Sequence, residues 1–269
     1  MDNPNLHTFD KDLEIFDTGS QVFALTLSDH WSINGTPNGG YLMGVIARIM
    51  ECCSQKKATP IITANYISKC FPGKALAYVE VISESSNFTR LQVRLVQQGE
   101  EKIRALGTFS SELNGEVIQK YETGPPVMAS FEESFQVPVI PDNALFDHID
   151  LRLDPSCVGW VSGDLSEPSE FKGWVSFKKE RKIDIPAILL FTDTFPPPIF
   201  ASFGASAWVP TIELSVNVRK IPDTRILKGI FKSRFISGGL VEEDGELWDT
   251  NGELVAISRQ ISKYRKIKD

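Results

Sequence analysis

One stretch of the chain, residues 39–54, is apolar on nearly every face of a helix. The positions that recur with a helical period are Leu42, Val45, Ile46, Ile49 and Cys53. Other apolar side chains, Met43 and Met50 among them, fill the remaining faces, and Gly44 is small enough for close packing. A helix with so little polar surface has to be surrounded, so we predict a central buried helix over Gly39–Ser54.

The segments around this helix alternate apolar and polar residues, which is typical of strands with one buried face. The strands predicted in the first half of the chain are 21–26, 76–83, 89–97 and 102–110. Those predicted in the second half are 146–153, 173–178, 225–236, 240–250 and 254–264. Turns are predicted at Gln98-Gly-Glu-Glu, Glu243-Asp-Gly-Glu and Thr250-Asn-Gly-Glu, since Asp-Gly and Asn-Gly pairs favour tight hairpins.

Two prolines recur at a fixed offset. Pro60 and Pro210 lie 150 residues apart, as do Pro72 and Pro222, and the same succession of strands follows each second proline. Such a repeat indicates two copies of one structural plan. The alternative is two unrelated α+β domains in which the proline spacing arose by chance.

The second copy also has a helix before its long run of strands. It is predicted over Ile185–Phe195, with Pro186 in its first turn and Pro196 discouraging helix at the residue before it. The stretch 114–142, rich in Pro, Glu and Gly, is predicted to be a crossover linker between the halves 1–113 and 143–269. Together these features predict an α+β double hot-dog fold, in which each repeat wraps a curved antiparallel sheet round a central helix.

Composition narrows the function classes. The net charge is −7 and the isoelectric point about 5.2, so the surface repels phosphate backbones and nucleic acid is not an expected partner. No window has the roughly 20 apolar residues of a membrane span, and the polar, acidic start is unlike a signal peptide. We therefore expect a cytoplasmic protein. Four cysteines without a Cys-x-x-Cys pair, and three histidines, predict neither a metal nor another cofactor.

Two motifs carry a family resemblance. Trp31-Ser-Ile-Asn-Gly-Thr-Pro-Asn-Gly-Gly-Tyr41 resembles the entrance to the first helix of TesB-like acyl-CoA thioesterases, members of the thioesterase-like double hot-dog superfamily. Leu247-Trp-Asp-Thr-Asn-Gly-Glu-Leu-Val-Ala-Ile-Ser-Arg-Gln260 resembles the closing hairpin of that superfamily. The resemblance spans residues 15–265 and implies hydrolysis of an acyl-CoA or another acyl thioester to free acid and thiol.

The resemblance also implies a catalytic set. In acyl-CoA thioesterase II proteins an Asp on the second helix, a Thr or Ser early in the next strand and a Gln near the end of the last strand position the hydrolytic water. The matching residues are Asp193, Thr211 and Gln260. The run Pro196-Pro-Pro198 departs from the family pattern and could shift Asp193.

Physical reasoning agrees with this set. Burial in an apolar acyl tunnel raises the pKa of a carboxyl toward the range of a general base. The start of a buried helix collects backbone N–H donors that can stabilise an oxyanion. The residues predicted to form this oxyanion and substrate site are Asn38, Gly39, Gly40 and Tyr41.

Each assignment has a structural alternative. Asp193 could be a solvated helix residue and Asn38 only a helix cap, while Trp31 and Tyr41 fit core aromatics better than substrate contacts. His30 is interpreted as structural or exposed. Arg219, Lys220 and Arg234 are weak candidates for contact with CoA phosphates.

Two other function classes stay open. One is a hot-dog dehydratase or hydratase, which needs a histidine paired with an acid, and none of the three histidines has such a partner at a plausible site in the sequence. The other is a non-hydrolytic protein that binds or processes an acyl thioester or a polyketide-like ligand on the same fold. Homo-oligomerisation is possible, because sheet edges often pair.

Overall fold

The computed structural model describes residues 6–112, 118–205 and 207–266. The helices are α1 (Thr8–Asp12), α2 (Gly39–Cys53), α3 (Leu145–His148), α4 (Ile185–Phe191) and α5 (Ile199–Phe203). Short 3-10 helices cover Pro155–Cys157 and Gly159–Ser162. None of these helices is long and apolar enough to cross a membrane.

The strands follow the predicted succession in both halves. Those before the linker are β1 (Ile15–Asp17), β2 (Val22–Leu27), β3 (Ser32–Ile33), β4 (Thr36–Pro37), β5 (Ala58–Tyr66), β6 (Gly73–Glu84), β7 (Phe88–Gln97) and β8 (Glu100–Ser110). The later ones are β9 (Phe135–Gln136), β10 (Ile149–Leu153), β11 (Ser169–Phe177), β12 (Ala207–Trp208), β13 (Thr211–Val218), β14 (Ile226–Ser233), β15 (Ile236–Ser237), β16 (Leu240–Trp248), β17 (Leu254–Lys263) and β18 (Arg265–Lys266).

The two halves share one antiparallel sheet. Its order is β1-β2-β6-β7-β8-β5-β13-β17-β16-β14-β11-β10-β9, with β15 beside β16, so the second half repeats the first in mirror order. The halves join where β5 pairs with β13, and there Ala64 lies opposite Leu214. These two residues have the same 150-residue offset as Pro60 and Pro210, so the pseudo-two-fold axis passes between them. The predicted double hot-dog fold is confirmed.

The central helices pack against each other inside this sheet. Every residue of α2 from Gly40 to Ala47 is buried, as the all-round apolar pattern predicts. Gly40 lies against the carbonyl of Leu189 and Gly44 against that of Pro186, so α2 and α4 run antiparallel at close range. The limits proposed for the two repeats and the linker stay a prediction, although 118–142 contains little regular structure besides β9.

Arg181 ties the N-terminal helix to the second repeat. Its guanidinium donates to Asp10 on α1 at 2.7 Å and to Asp184, the cap of α4, at 2.6 Å. The same group lies over the rings of Phe9 and Phe177. The Arg181 side chain is only 8% exposed, so its ion pairs with Asp10 and Asp184 are partly desolvated.

The second helix is shorter than predicted. It ends at Phe191 rather than Phe195. The hydroxyls of Thr192 and Thr194 donate to the carbonyls of Leu189 and Leu190, each at 2.8 Å. Two carbonyl groups in the last turn of α4 thus accept hydrogen bonds from side chains beyond the end of the helix. Pro196–Pro198 then separates α4 from α5. Similarly, the predicted strand 146–153 begins only at Ile149, because α3 occupies the preceding residues.

One predicted turn is wrong. Glu243-Asp-Gly-Glu lies in the middle of β16, not in a hairpin. A Cβ on Gly245 would come 2.4 Å from the Phe231 ring and from Ser258 Oγ, so glycine is required there by packing rather than by a turn. The turns at Gln98-Gly99 and at Asn251-Gly252 are confirmed, and both glycines have positive φ.

Candidate active site

Asp193 lies where the two halves meet. It is in the turn directly after α4, one residue beyond the helix cap, and not on the helix as predicted. Asn38, which precedes α2, donates from Nδ2 to the Asp193 carbonyl at 2.7 Å and to its Oδ2 at 2.9 Å. The Gly40 N–H donates to the same Oδ2 at 2.9 Å. The structure therefore brings the predicted acid of one half onto the helix start of the other.

Thr211 and Gln260 form a second pair beside it. Gln260 Nε2 donates to Thr211 Oγ1 at 2.5 Å and lies 3.3 Å from Ser262 Oγ. A bulge between Thr211 and Glu213 shifts the register, which puts Gln260 opposite Leu214. The Gln260 side chain also lies close enough to the Asp193 carboxyl to lower the pKa of that group by hydrogen bonding. All three predicted catalytic side chains thus share one site.

Burial dominates the charge state of Asp193. Desolvation raises its pKa from 3.8 to about 6, against the opposing effects of the Gly40 N–H, Gln260, the Gly39 N–H and Asn38. A carboxyl with that pKa is mostly ionised at neutral pH and still basic enough to accept a proton from water. The chemistry that this position supports is general-base catalysis.

The start of α2 has its donors already engaged. Asn38 Oδ1 accepts from the Tyr41 N–H at 3.0 Å, so the predicted cap is confirmed. Gly40 donates to Asp193, and the Gly39 carbonyl accepts from Tyr66 Oη at 2.7 Å. The predicted role of these residues in oxyanion binding stays a prediction. In the structure the Gly40 N–H donates to the Asp193 carboxylate, and the Tyr41 N–H donates to Oδ1 of the capping Asn38.

The aromatic residues of the first motif lie in the core, as interpreted. Trp31 and Tyr41 are fully buried, and Trp31 Nε1 donates to Asp12 Oδ2 at 2.9 Å. His30, more than half exposed, also has this carboxylate as a partner, at 2.9 Å from Nδ1. The sequence did not reveal this His–Asp pair. It does not touch Asp193, and the pKa of Asp193 carries no contribution from it.

The candidate contacts to CoA phosphate remain weak. Arg219, Lys220 and Arg234 are exposed, as expected of a solvated sheet face. Lys220 lies 3.7 Å from the buried carboxylate of Asp249, which gives it a structural partner. Of two surface clefts of about 470 and 320 Å3, the first is lined in part by Arg219, and neither is lined by Asp193.

Sequence reasoning missed one acidic residue of the site, Glu243. It lies on β16 directly opposite Gln260. Burial raises its pKa well above the usual value, and the negative charges of Asp193, Glu242 and Asp244 raise it further. The alternation of buried Val241, Gly245 and Leu247 places position 243 on the inner face. That signal was present in the sequence, but the turn predicted at this point obscured it.

Two protein-family models match the chain. The model of the acyl-CoA thioesterase C-terminal domain matches residues 122–262, and that of the N-terminal domain matches residues 27–110. No curated protein sequence matches the chain significantly.

Solved structures with the same fold span both halves. A protein assigned as a thioesterase II from Thermobifida fusca superposes with a TM-score of 0.89 at 23% identity, covering 97% of this chain and 99% of that one. An acyl-CoA thioesterase II from Mycobacterium marinum gives 0.75 at 16% identity, covering 97% and 99%. A dehydratase domain from Mycobacterium tuberculosis, in complex with C12:1-CoA, gives 0.60 at 10% identity, covering 94% and 98%. These likenesses show the fold. The two domain matches, which together take in both repeats, show that the chain belongs to the acyl-CoA thioesterase family and is a thioester hydrolase.

Proposed function

We propose that the protein hydrolyses acyl-CoA thioesters with a water held by Asp193, Thr211 and Gln260. The observation that carries this proposal is the position of Asp193, at a pKa of about 6: it is hydrogen-bonded by Asn38 and Gly40 of the other repeat and lies close to Gln260, which is bonded to Thr211. A base, a hydroxyl and an amide in one partly buried pocket can bind one water through several hydrogen bonds. Among the described residues, no group of three or more His, Cys, Asp or Glu side chains could hold a metal ion.

The proposed reaction has two steps. The water oxygen attacks the thioester carbonyl carbon while Asp193 takes a water proton, which leaves a tetrahedral oxyanion. The intermediate then collapses, the C–S bond breaks, and the departing thiolate takes the proton from Asp193. The products are free acid and CoA thiol, and the base returns to its ionised form.

The glycine N–H groups of α2 have a revised role in this proposal. Because Gly40 and Asn38 both donate to Asp193 Oδ2, they hold this oxygen and direct the carboxyl. The partial positive charge at the helix start keeps the buried carboxyl ionised at neutral pH. Helix α2 therefore acts on the base, and we do not assign the Tyr41 N–H to the oxyanion because it is bonded to the capping Asn38.

The test measures thiol release from medium- and long-chain acyl-CoAs. Asp193→Asn removes the base and is expected to lower kcat by about 100- to 10,000-fold, whereas Gln260→Ala removes one water contact and costs about tenfold. Asp223→Asn, an exposed acid-to-amide change elsewhere, serves as the matched control and should leave kcat unchanged. Undiminished turnover in both site variants would contradict the mechanism.

The same assay separates the alternatives. Wild-type protein that binds CoA esters without releasing thiol would favour the non-hydrolytic role. The His30–Asp12 pair is a histidine–acid arrangement of the kind that a hydratase needs, so hydration of crotonyl-CoA should be measured in parallel. We expect none, because that pair does not touch Asp193.

A further inference from the structure

Glu243 lies in a row of polar side chains on the inner face of the sheet. On one side, β17 places Gln260 directly opposite it. On the other side, β14 pairs Lys232 with Asp244, and continuing this register by one residue sets Ser233 beside Glu243. Residues opposite each other on adjacent strands have Cβ atoms about 5 Å apart, which is within reach of these side chains.

Each of the two neighbours of Glu243 has one buried polar atom without a hydrogen-bond partner. Ser233 Oγ and Gln260 Oε1 are both buried without one among the described residues. An unsatisfied buried polar atom costs roughly 1–3 kcal/mol, so native proteins rarely leave one. Gln260 Oε1 can only accept, so it needs a donor, and Glu243 lies directly opposite it. Ser233 Oγ makes no bond to Glu243 in the structure, although a hydroxyl can donate to a carboxyl in either protonation state.

The surroundings of Glu243 favour its neutral form. The charged groups that act on it are all acidic: Asp193 from the turn after α4, and Glu242 and Asp244 of its own strand. Two of the cations on the flanking strands, those that lie opposite Asp244, are engaged elsewhere: Lys232 with Glu170 and Arg259 with Asp244. A protonated carboxyl has an O–H donor, which is the group that Gln260 Oε1 needs.

We propose that Glu243 donates a carboxyl proton to Gln260 Oε1 and so positions the Gln260 amide for the attacking water. Gln260 Nε2 is bonded to Thr211, so a bond at Oε1 holds the amide at both ends. Without it the amide can turn and present the wrong atom to the water. This inference rests on the proposed function and makes Glu243 a positioning residue.

Two substitutions at one position test the proposal. Glu243→Gln keeps a donor and an acceptor, and it should retain kcat within about twofold. Glu243→Leu keeps the bulk but has neither, and it should lower kcat about tenfold with little change in KM. Ser233→Ala removes a neighbouring hydroxyl that makes no bond to Glu243, so it serves as the control and should leave kcat unchanged.

The pH profile gives a readout that a merely structural role would not change. If Glu243 is neutral, Glu243→Gln leaves the acidic limb of kcat/KM, near pH 6, where it is in the wild type. If Glu243 is ionised, the same variant removes a negative charge beside Asp193 and shifts that limb to lower pH, which overturns the proposal. A Glu243→Gln variant as slow as Glu243→Leu would overturn it as well.

A spectroscopic measurement covers the case in which Glu243→Leu does not fold. The Gln260 side-chain amide, assigned through Gln260→Ala, should keep its 15N–1H shifts in Glu243→Gln and move in Glu243→Ala. Unmoved shifts in Glu243→Ala would contradict the bond to Gln260 Oε1. Asp193→Asn keeps the two proposals distinguishable: an active Asp193→Asn refutes the proposed function, whereas an inactive Asp193→Asn beside a normal Glu243→Leu refutes only the role of Glu243.

Discussion

Gly40 lies at the closest approach of the two central helices, and a single methyl group there should disable the site. A Cβ built on Gly40 would come 2.6 Å from the Leu189 carbonyl oxygen, 2.9 Å from that of Leu190 and 2.9 Å from Asp193 Cβ. Two of these atoms are backbone, so no side-chain rotation relieves the contact. On the same face one turn later, a Cβ on Gly44 would meet the Pro186 carbonyl oxygen at 3.0 Å and other atoms only at 3.5 Å.

The size of the effect follows from these distances. An ordinary contact begins near 3.4 Å, so Gly40→Ala requires a displacement of about 0.8 Å between α2 and α4, whereas Gly44→Ala requires about 0.4 Å. Overpacking of this kind costs about 1–3 kcal/mol, and the better helix propensity of Ala returns about 1 kcal/mol at either site. A catalytic group misplaced by about 1 Å loses roughly 100-fold in rate.

The assay compares these two variants in thiol release and in thermal unfolding. Gly40→Ala should lower kcat/KM about 100-fold and Tm by a few degrees, since about 1 kcal/mol corresponds to roughly 2–4 °C in a chain of this size. Gly44→Ala should stay within about threefold of the wild type, with Tm almost unchanged. The reasoning is refuted if Gly40→Ala hydrolyses acyl-CoA as well as Gly44→Ala does.

Four further predictions concern the charge of Asp193 and two buried hydrogen-bonding side chains. Because the pKa of Asp193 is raised to about 6, kcat/KM should fall tenfold per pH unit below about pH 6 and level off above it, as a pH–rate profile would show. The folded state binds this proton more tightly than the unfolded state, so the free energy of unfolding should fall as pH rises from about 4 to about 6. In Asp193→Asn, urea unfolding should not show this fall. Tyr66→Phe leaves the Gly39 carbonyl without its donor and should cost about 1–2 kcal/mol in urea unfolding, with a loss of kcat. Arg181→Lys cannot reproduce the paired bonds to its two aspartates and should cost about 1–3 kcal/mol in the same measurement.

Less buried counterparts provide the controls. Tyr78→Phe, on the solvated side of β6, should leave stability within about 0.5 kcal/mol of the wild type. Arg104→Lys breaks a half-exposed pair with Glu101 and should cost less than about 1 kcal/mol. A loss at these controls equal to that at Tyr66 or Arg181 would show that burial does not set the size of the effect.

Much of the fold was predictable because its signals are local or periodic. The apolar pattern of α2 and the alternation in β6 to β8 report burial on each face, and the 150-residue proline offset reports the duplication. The candidate catalytic residues came from a family resemblance, since nothing in the local pattern at Asp193, Thr211 or Gln260 distinguishes them from surface residues. The Glu243-Asp-Gly sequence was misinterpreted because Asp-Gly favours a turn locally, whereas Phe231 and Ser258 demand a glycine in the strand.

The sequence by itself determined the repeated plan, the central helix and long strands of each repeat, and the identity of the polar side chains available to a site. Only the tertiary structure decided that α4 stops before Asp193, that Gly40 and Asn38 donate to the Asp193 carboxylate, and that Glu243 lies opposite Gln260. The physical reason is distance along the chain. Gly40 and Asp193 are separated by 153 residues, and their contact depends on how closely two helices pack, which no local pattern of apolar and polar residues encodes.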